Sequence, residues 1–240
     1  MEPYSQSSRL PTRQLSFIAL LLLPVLLSGQ TVYEQLIARS PTPTPNHINN
    51  LQYGNGKFLA TTDSAGVIIS SDDGINWSTH QTGYWGGIDD IAYGNGIYMV
   101  TSAGSGPAYY SSDLENWTQV GFGNLPSNND NVYFHDGLFY FGGSQFYDKE
   151  GEISNYGITT TADGVTFNKI EIPGENEISD IIFANGQFVT VGRNIEIMTS
   201  PDGVNWPVRP TGLDTETLEE RSLISISYVN NLYVATCLSW

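Results

Sequence analysis

Four carboxylates, Asp148, Glu150, Glu175 and Glu177, fall in two short polar segments, the first of which also carries Phe146 and Tyr147, and Arg193 follows further along. Two carboxyl groups facing each other across a cleft can run the acid–base chemistry of glycoside cleavage, and their separation decides between the retaining and inverting routes. Exposed aromatics beside the same groups can instead hold a sugar without cutting it, the ring stacking on an apolar face while its hydroxyls bond the polar edge. Gly83-Tyr84-Trp85-Gly86 supplies a second aromatic pair. Plainer readings stand beside these: acidic loops are ordinarily just solvated, and Tyr84 and Trp85 can plug a gap between packed elements.

Other chemistries have few parts. His47, His80 and His135 are scattered, and neither metal-ligand spacing nor a phosphate-binding glycine loop occurs. No catalytic residue, metal or cofactor is assigned. Asn76-Trp77-Ser78 and Asn116-Trp117-Thr118 match glycosylation acceptors.

The elements that must position these residues are announced by a phrase repeated four times. It reads Ser71-Asp72-Asp73-Gly74-Ile75-Asn76-Trp77, Ser111-Ser112-Asp113-Leu114-Glu115-Asn116-Trp117, Thr161-Ala162-Asp163-Gly164-Val165-Thr166-Phe167 and Ser200-Pro201-Asp202-Gly203-Val204-Asn205-Trp206. Successive Asp anchors are 40, 50 and 39 residues apart. A second phrase keeps step: Tyr53-Gly54-Asn55-Gly56, Tyr93-Gly94-Asn95-Gly96, Phe134-His135-Asp136-Gly137, Phe183-Ala184-Asn185-Gly186 and the degraded Tyr228-Val229-Asn230-Asn231. A period of about 40 residues suits the four-stranded blade of a β-propeller.

The fourth copy parses into strands at Ile178–Phe183, Gln187–Val191, Ile195–Met198 and from Trp206 to Arg209, with Asn185-Gly186 as a tight hairpin turn. Leu51, Ile91, Val132, Ile181 and Ile226 form one column, and Phe58, Tyr98, Phe139, Phe188 and Tyr233 another; both are expected in the core between blades. Asn50, Asp90, Asn131 and Asp180 form a polar column at the start of the innermost strands. It reads either as a ring of ligands or as side chains bonding neighbouring backbone, the second being the commoner use.

In the repeated phrase, the hydroxyl and the Asp carboxylate can accept free backbone N–H groups, Gly takes a positive φ and the aromatic packs inward. The phrase resembles the Asp-box, or BNR repeat, of the sialidase-like β-propellers, from about Ile48 to the end of the chain. The resemblance implies that Ser71, Asp73, Gly74, Trp77, Ser111, Asp113, Trp117, Thr161, Asp163, Gly164, Phe167, Ser200, Asp202, Gly203 and Trp206 are scaffold, away from any catalytic face. Leu114 replaces Gly in the second copy, which predicts a looser turn there. Sialidases of this family use three arginines, a Tyr–Glu pair and an acidic proton donor. Here Arg39 and Arg209 look like repeat-equivalent strand residues, the family's Arg-Ile-Pro signature is absent, and Arg193 alone is expected on the right face.

Arg9 and Arg13 precede an apolar run from Leu15 to Leu27 and then Ser28-Gly29, the order of a secretory signal peptide, with an uncleaved anchor as the alternative. The chain is therefore expected to be secreted, periplasmic or on the cell surface. Removing residues 1–29 leaves 7 basic and 24 acidic residues, a charge of −17. Such a balance argues against nucleic acid as a partner. Cys237 stands alone, so stability must come from packing.

The expected architecture is all-β: a propeller of four-stranded antiparallel blades, four complete and a fifth partial, in an incomplete or truncated ring. Residues 30–46 form an extended lead-in able to lend an outer strand, and 47–240 the propeller, with blades at about 47–87, 88–129, 130–177 and 178–222 and a part at 223–240. An open sheet edge invites pairing with another chain. Alternating strand direction puts the Asn-Gly turns and the Asp phrases on one face at nearly fixed length. The other face varies in loop length, and there Tyr84, Trp85, Phe146, Tyr147, Asp148, Glu150, Glu175, Glu177 and Arg193 are the binding candidates. The leading expectation is an exported, non-catalytic module binding a glycan or an extracellular or cell-surface protein. A sialidase-like or other glycoside hydrolase is the alternative, and an assembly scaffold akin to photosystem assembly proteins the third.

Overall fold

The computed structural model describes residues 44–239 except 103, 105, 121–123, 148–152, 173–176 and 212–220; for 145, 147, 153–155, 238 and 239 it describes the backbone alone. Every regular element among them is a strand. Blade 1 comprises β1 (Ile48–Gly54), β2 (Lys57–Thr62), β3 (Val67–Ser71) and β4 (Ser78–Gln81); blade 2 comprises β5 (Ile88–Gly94), β6 (Ile97–Ser102), β7 (Tyr109–Ser111) and β8 (Thr118–Gln119). In each the four strands pair antiparallel in chain order. Blade 3 holds β9 (Asn131–His135), β10 (Leu138–Gly142), β11 (Gln145–Tyr147), β12 (Ile153–Thr161) and β13 (Phe167–Glu171). Blade 4 is β14 (Ile178–Ala184), β15 (Gln187–Gly192), β16 (Ile197–Ser200) and β17 (Val208–Arg209), and a two-stranded fifth sheet is β18 (Arg221–Val229) with β19 (Leu232–Ser239). The molecule is a β-propeller.

Blade 3 departs from the simple parse. The strand β12 is long enough to pair with β10 through residues 159–161 and with β11 through residues 153–156, on the same edge. Residues 145–147 and 153–155 of the segment expected as a loop insertion are therefore paired strand that prolongs the blade. Its aromatic Phe146 is only 3% exposed, with the Lys169 ammonium 4.5 Å from the ring centroid. Phe146 is thus a core residue and not the surface contact expected of it, because pairing with the extended β12 turns its ring inward.

Two turn devices repeat. At the first hairpin of each blade, pairs such as Asn55 and Gly56 or Asn95 and Gly96 both take positive φ, as the twist-matched two-residue turn requires. At the Asp-anchored turn, Asp73 Oδ1 accepts the Ile75 and Asn76 N–H groups at 2.8 and 2.7 Å, while Ser71 Oγ accepts Gly74 N–H at 2.8 Å. The same bonds recur around Asp113, Asp163 and Asp202. The turn at Leu114 is not looser: Leu114 adopts φ 67° and donates to Ser111 Oγ at 3.0 Å. Its side chain is 2% exposed in the core between blades 1 and 2, so packing holds the unfavourable dihedral.

Each interface between blades uses one code. Leu59 and Ile68 of blade 1 meet Ile91 and Tyr98 of blade 2; Met99 meets Val132 and Phe139; Tyr140 meets Ile181 and Phe188; Val189 meets Ile226 and Tyr233. Both expected core columns are therefore buried in blades 2 to 4. In blade 1 the same columns are open, Leu51 at 59% and Phe58 at 36%, since no blade precedes them among the described residues.

Candidate functional site

The innermost strands β1, β5, β9, β14 and β18 line a channel of about 1640 Å³. At their first residues, on the variable face, the polar column forms a continuous chain of bonds. Asn50 Nδ2 donates to Asp90 Oδ1 at 2.7 Å, and Asn131 Nδ2 donates to Asp90 Oδ2 at 3.2 Å and to Asp180 Oδ1 at 3.1 Å. Asp90 Oδ2 also accepts the Val132 N–H of the next blade at 3.0 Å, and Asp180 Oδ2 accepts the Ile226 N–H at 2.8 Å. The column is a backbone latch, the second of the two readings open in the sequence. Burial pushes the Asp90 carboxyl up to about 7 against its bonds to the Val132 and Ile91 N–H groups, with Asp180 and Asp89 adding like charge.

One residue earlier stands the chemistry of the mouth. A β-bulge in the innermost strands of blades 1, 2, 4 and 5 interrupts the pleat at this level. Asn49, Asp89, Asp130 and Ser179 line the mouth there, with Glu177, Arg193, Asn194 and Arg221 around them. Asn49 is oriented by donating to Ile88 O at 3.0 Å. The channel walls strip part of the hydration from Asp130, although the residue remains open at the rim, and with the like charges of Asp89 and Glu177 this pushes it up to about 6. Desolvation also raises Asp89. The mouth is a set of acceptors beside two guanidinium groups.

Arg193 is held by backbone: its N–H donates to Glu177 O at 3.2 Å, and it forms a bridge with Ser222 of β18. Arg221 was not foreseen at the mouth, so two arginines stand there where one was expected; Arg209 instead donates from Nε to Thr199 Oγ1 at 2.7 Å. Asp148, Glu150 and Glu175 lie outside the described residues, as does the Tyr147 side chain.

The aromatic pair separates into two roles. Tyr84 is half-buried and packs on the core of blades 1 and 2 beside Tyr109, with ring centroids 6.1 Å apart. Trp85 is 93% exposed. Its carbonyl accepts the Ala65 N–H at 3.2 Å and Gly86 O accepts the Gly66 N–H at 2.8 Å, so the backbone carrying the indole is tied to the β2–β3 turn. Its loop joins β4 to the start of β5, the end of the innermost strand at which the polar column stands.

A second constellation was also missed. Ser70 Oγ lies 2.8 Å from His80 Nε2, and His80 Nδ1 lies 2.9 Å from Glu115 Oε1 in the next blade's turn. The order hydroxyl, imidazole, carboxylate is that of a nucleophilic triad. Yet Ser70 is 5% exposed within β3, and Thr199 and Arg209 occupy the repeat-equivalent positions with the same bond. The pair is a cross-strand tie that His80 extends to the neighbouring blade. Among the described residues no group of three or more His, Cys, Asp or Glu could hold a metal ion, and no helix is long and apolar enough to cross a membrane.

No protein-family model matches the chain, and no curated protein matches it in sequence. Among solved structures it is similar to YCF48 from Cyanidioschyzon merolae, at 14% identity and TM-score 0.53, covering 83% of this chain and 69% of that one. It is similar to the WD40 β-propeller domain of Doa1 at 11% identity and TM-score 0.54, covering 80% and 62% of the two chains. A third likeness is to PorZ, a surface component of the type-IX secretion system of Porphyromonas gingivalis, at 11% identity and TM-score 0.51, over 79% of this chain and 25% of that one. The chain thus spans less than two thirds of the Doa1 and PorZ chains. At such identities the likeness is one of fold, and the class it defines is the β-propeller.

Proposed function

We propose that the protein is an exported, non-catalytic propeller module that binds a glycan on its variable face, with Trp85 as the stacking platform and the channel mouth as the hydroxyl-binding edge. The observation that carries this reading is Trp85, whose indole is 93% exposed on a backbone fixed by two hydrogen bonds. A large aromatic left uncovered on a tied loop costs little entropy on docking a ring, and acceptors and guanidinium groups on the same face match a sugar's hydroxyls. The apolar run at residues 15–27 supports export, and the acidic balance supports a neutral or cationic partner. A glycan microarray probed with the wild-type chain and Trp85→Ala tests it. Binding to a restricted set of glycans, lost in the variant, is expected; equal binding by both proteins would overturn the reading.

Glycoside hydrolysis is the second reading, favoured by Asp130. A carboxyl group pushed up to about 6 beside Asp89 and Glu177 is the kind of pairing that separates a general acid from a base. Release of reducing ends that disappears in Asp130→Asn would establish it.

A further inference from the structure

The repeat leaves both halves of one interface uncovered. Toward the blade that would precede it, blade 1 shows Ile48, Leu51, Tyr53 and Phe58 at 48, 59, 66 and 36% exposure. Ala60 and Ile69 on the same face are buried with Trp77 packed on them, so the open part is the inner strip nearest the channel. At the other end, β18–β19 shows Val229, Leu232 and Val234 at 56, 58 and 43% exposure. Leu232 and Val234 occupy the repeat positions whose counterparts, Leu138 and Tyr140 of blade 3 or Ile97 and Met99 of blade 2, pack on the following blade, while Val229 stands at the position of Gly54 and Gly94, beside which the next blade's Tyr93 and Phe134 lie. Leu51 and Phe58 occupy the positions of Ile91 and Tyr98, which pack on the preceding blade.

We infer that the two strips are the separated halves of a head-to-tail contact between copies of this chain, the Val234 strip of one copy seating on the Leu51 strip of a second. Four interfaces within the chain join these same columns, so a second copy continues their apolar pattern. Exposed contiguous apolar strips of this kind mark association surfaces. Because the two strips differ, the contact is heterologous, and closure into a ring or growth in series follows from its angle.

The full chain under reducing conditions, which removes any part played by Cys237, is measured by sedimentation velocity beside Leu51→Asp and Val234→Asp. Both positions are solvent-exposed, and thermal melting checks that each variant folds. The wild type is expected as a dimer or larger species and each variant as a monomer. An equimolar mixture of the two variants is expected to recover a dimer, since one intact strip of each kind remains. A monomeric wild type at 100 µM would overturn the inference, whether the strips are left bare or covered by the chain's own first 43 residues. Recovery of no dimer on mixing would also overturn it, as would a dimer that persists in either variant alone, which is how a symmetric contact between like strips behaves.

Discussion

The Asp90 carboxylate accepts the backbone N–H of Val132, 42 positions along the chain and in the next blade, at 3.0 Å. The bond joins the innermost strands of two blades, and Asp180 repeats it with Ile226. A carboxylate at this level closes a backbone group that the antiparallel ladder leaves free, and it does so among the polar side chains that line the channel. The scaffold and the mouth of the channel are therefore built from adjacent residues of one column.

Replacing Asp90 with Ala leaves the buried Val132 and Ile91 N–H groups without an acceptor. The loss is expected to destabilise the fold by about 3 kcal/mol. Chemical denaturation checks it, with Asp89→Ala, whose carboxylate accepts only a long bond from Asn49 Nδ2 at 3.4 Å, expected to change stability by less than about 0.5 kcal/mol.

The direction of pH dependence follows from the same group. The folded Asp90 carboxyl sits at about 7 against 3.8 for the free side chain, so between these values the native state binds more protons than the unfolded chain. Its contribution is full below pH 4 and declines as pH rises through 7. The melting temperature is expected to fall between pH 5 and 7.5, and Asp90→Asn to flatten that slope. At the other end, backbone N–H groups, first those of Asn76, Asn116 and Asn205, hold Asp73, Asp113 and Asp202 well below the usual carboxylate range. Their contribution is present above pH 4 and lost as acid titrates them.

Leu114 sets two costs against each other. Gly at this position relieves a left-handed backbone at φ 67°, a gain of about 1 kcal/mol, but empties a buried side-chain site worth about 2–5 kcal/mol. Leu114→Gly is expected to lower stability by about 2 kcal/mol, measured by denaturant midpoint. Stabilisation would mean that strain outweighs packing.

The glycosylation signals at Asn76 and Asn116 are occupied by structure. Each side-chain amide donates to the second oxygen of its turn Asp at 2.8 Å. Expressed in a glycosylating host, the folded chain is expected to carry no glycan at either site, checked by intact mass before and after deglycosylation.

The blades, their hairpins and the Asp-anchored turns were legible because each rests on local rules: alternation, a positive-φ pair, a hydroxyl two places before an Asp. The separate fates of Tyr84 and Trp85 were not, since neighbours with the same chemistry face opposite ways across a strand entry. Phe146 was misplaced because nothing in residues 144–155 announces that β12 runs on to pair with it. The channel mouth had a signal that went unused: Asn49-Asn50, Asp89-Asp90 and Asp130-Asn131 are doubled polar residues at the start of consecutive innermost strands. The second of each pair latches the scaffold, and the first lies at the opening, set there by the bulge at Asn49 and Asp89.

Whether the propeller binds sugars without cutting them is decided by following binding and reducing-end release together on one panel of soluble polysaccharides. Saturable binding that Trp85→Ala abolishes, with no product formed by the wild type, is expected. Product release by the wild type that Asp130→Asn eliminates would contradict it.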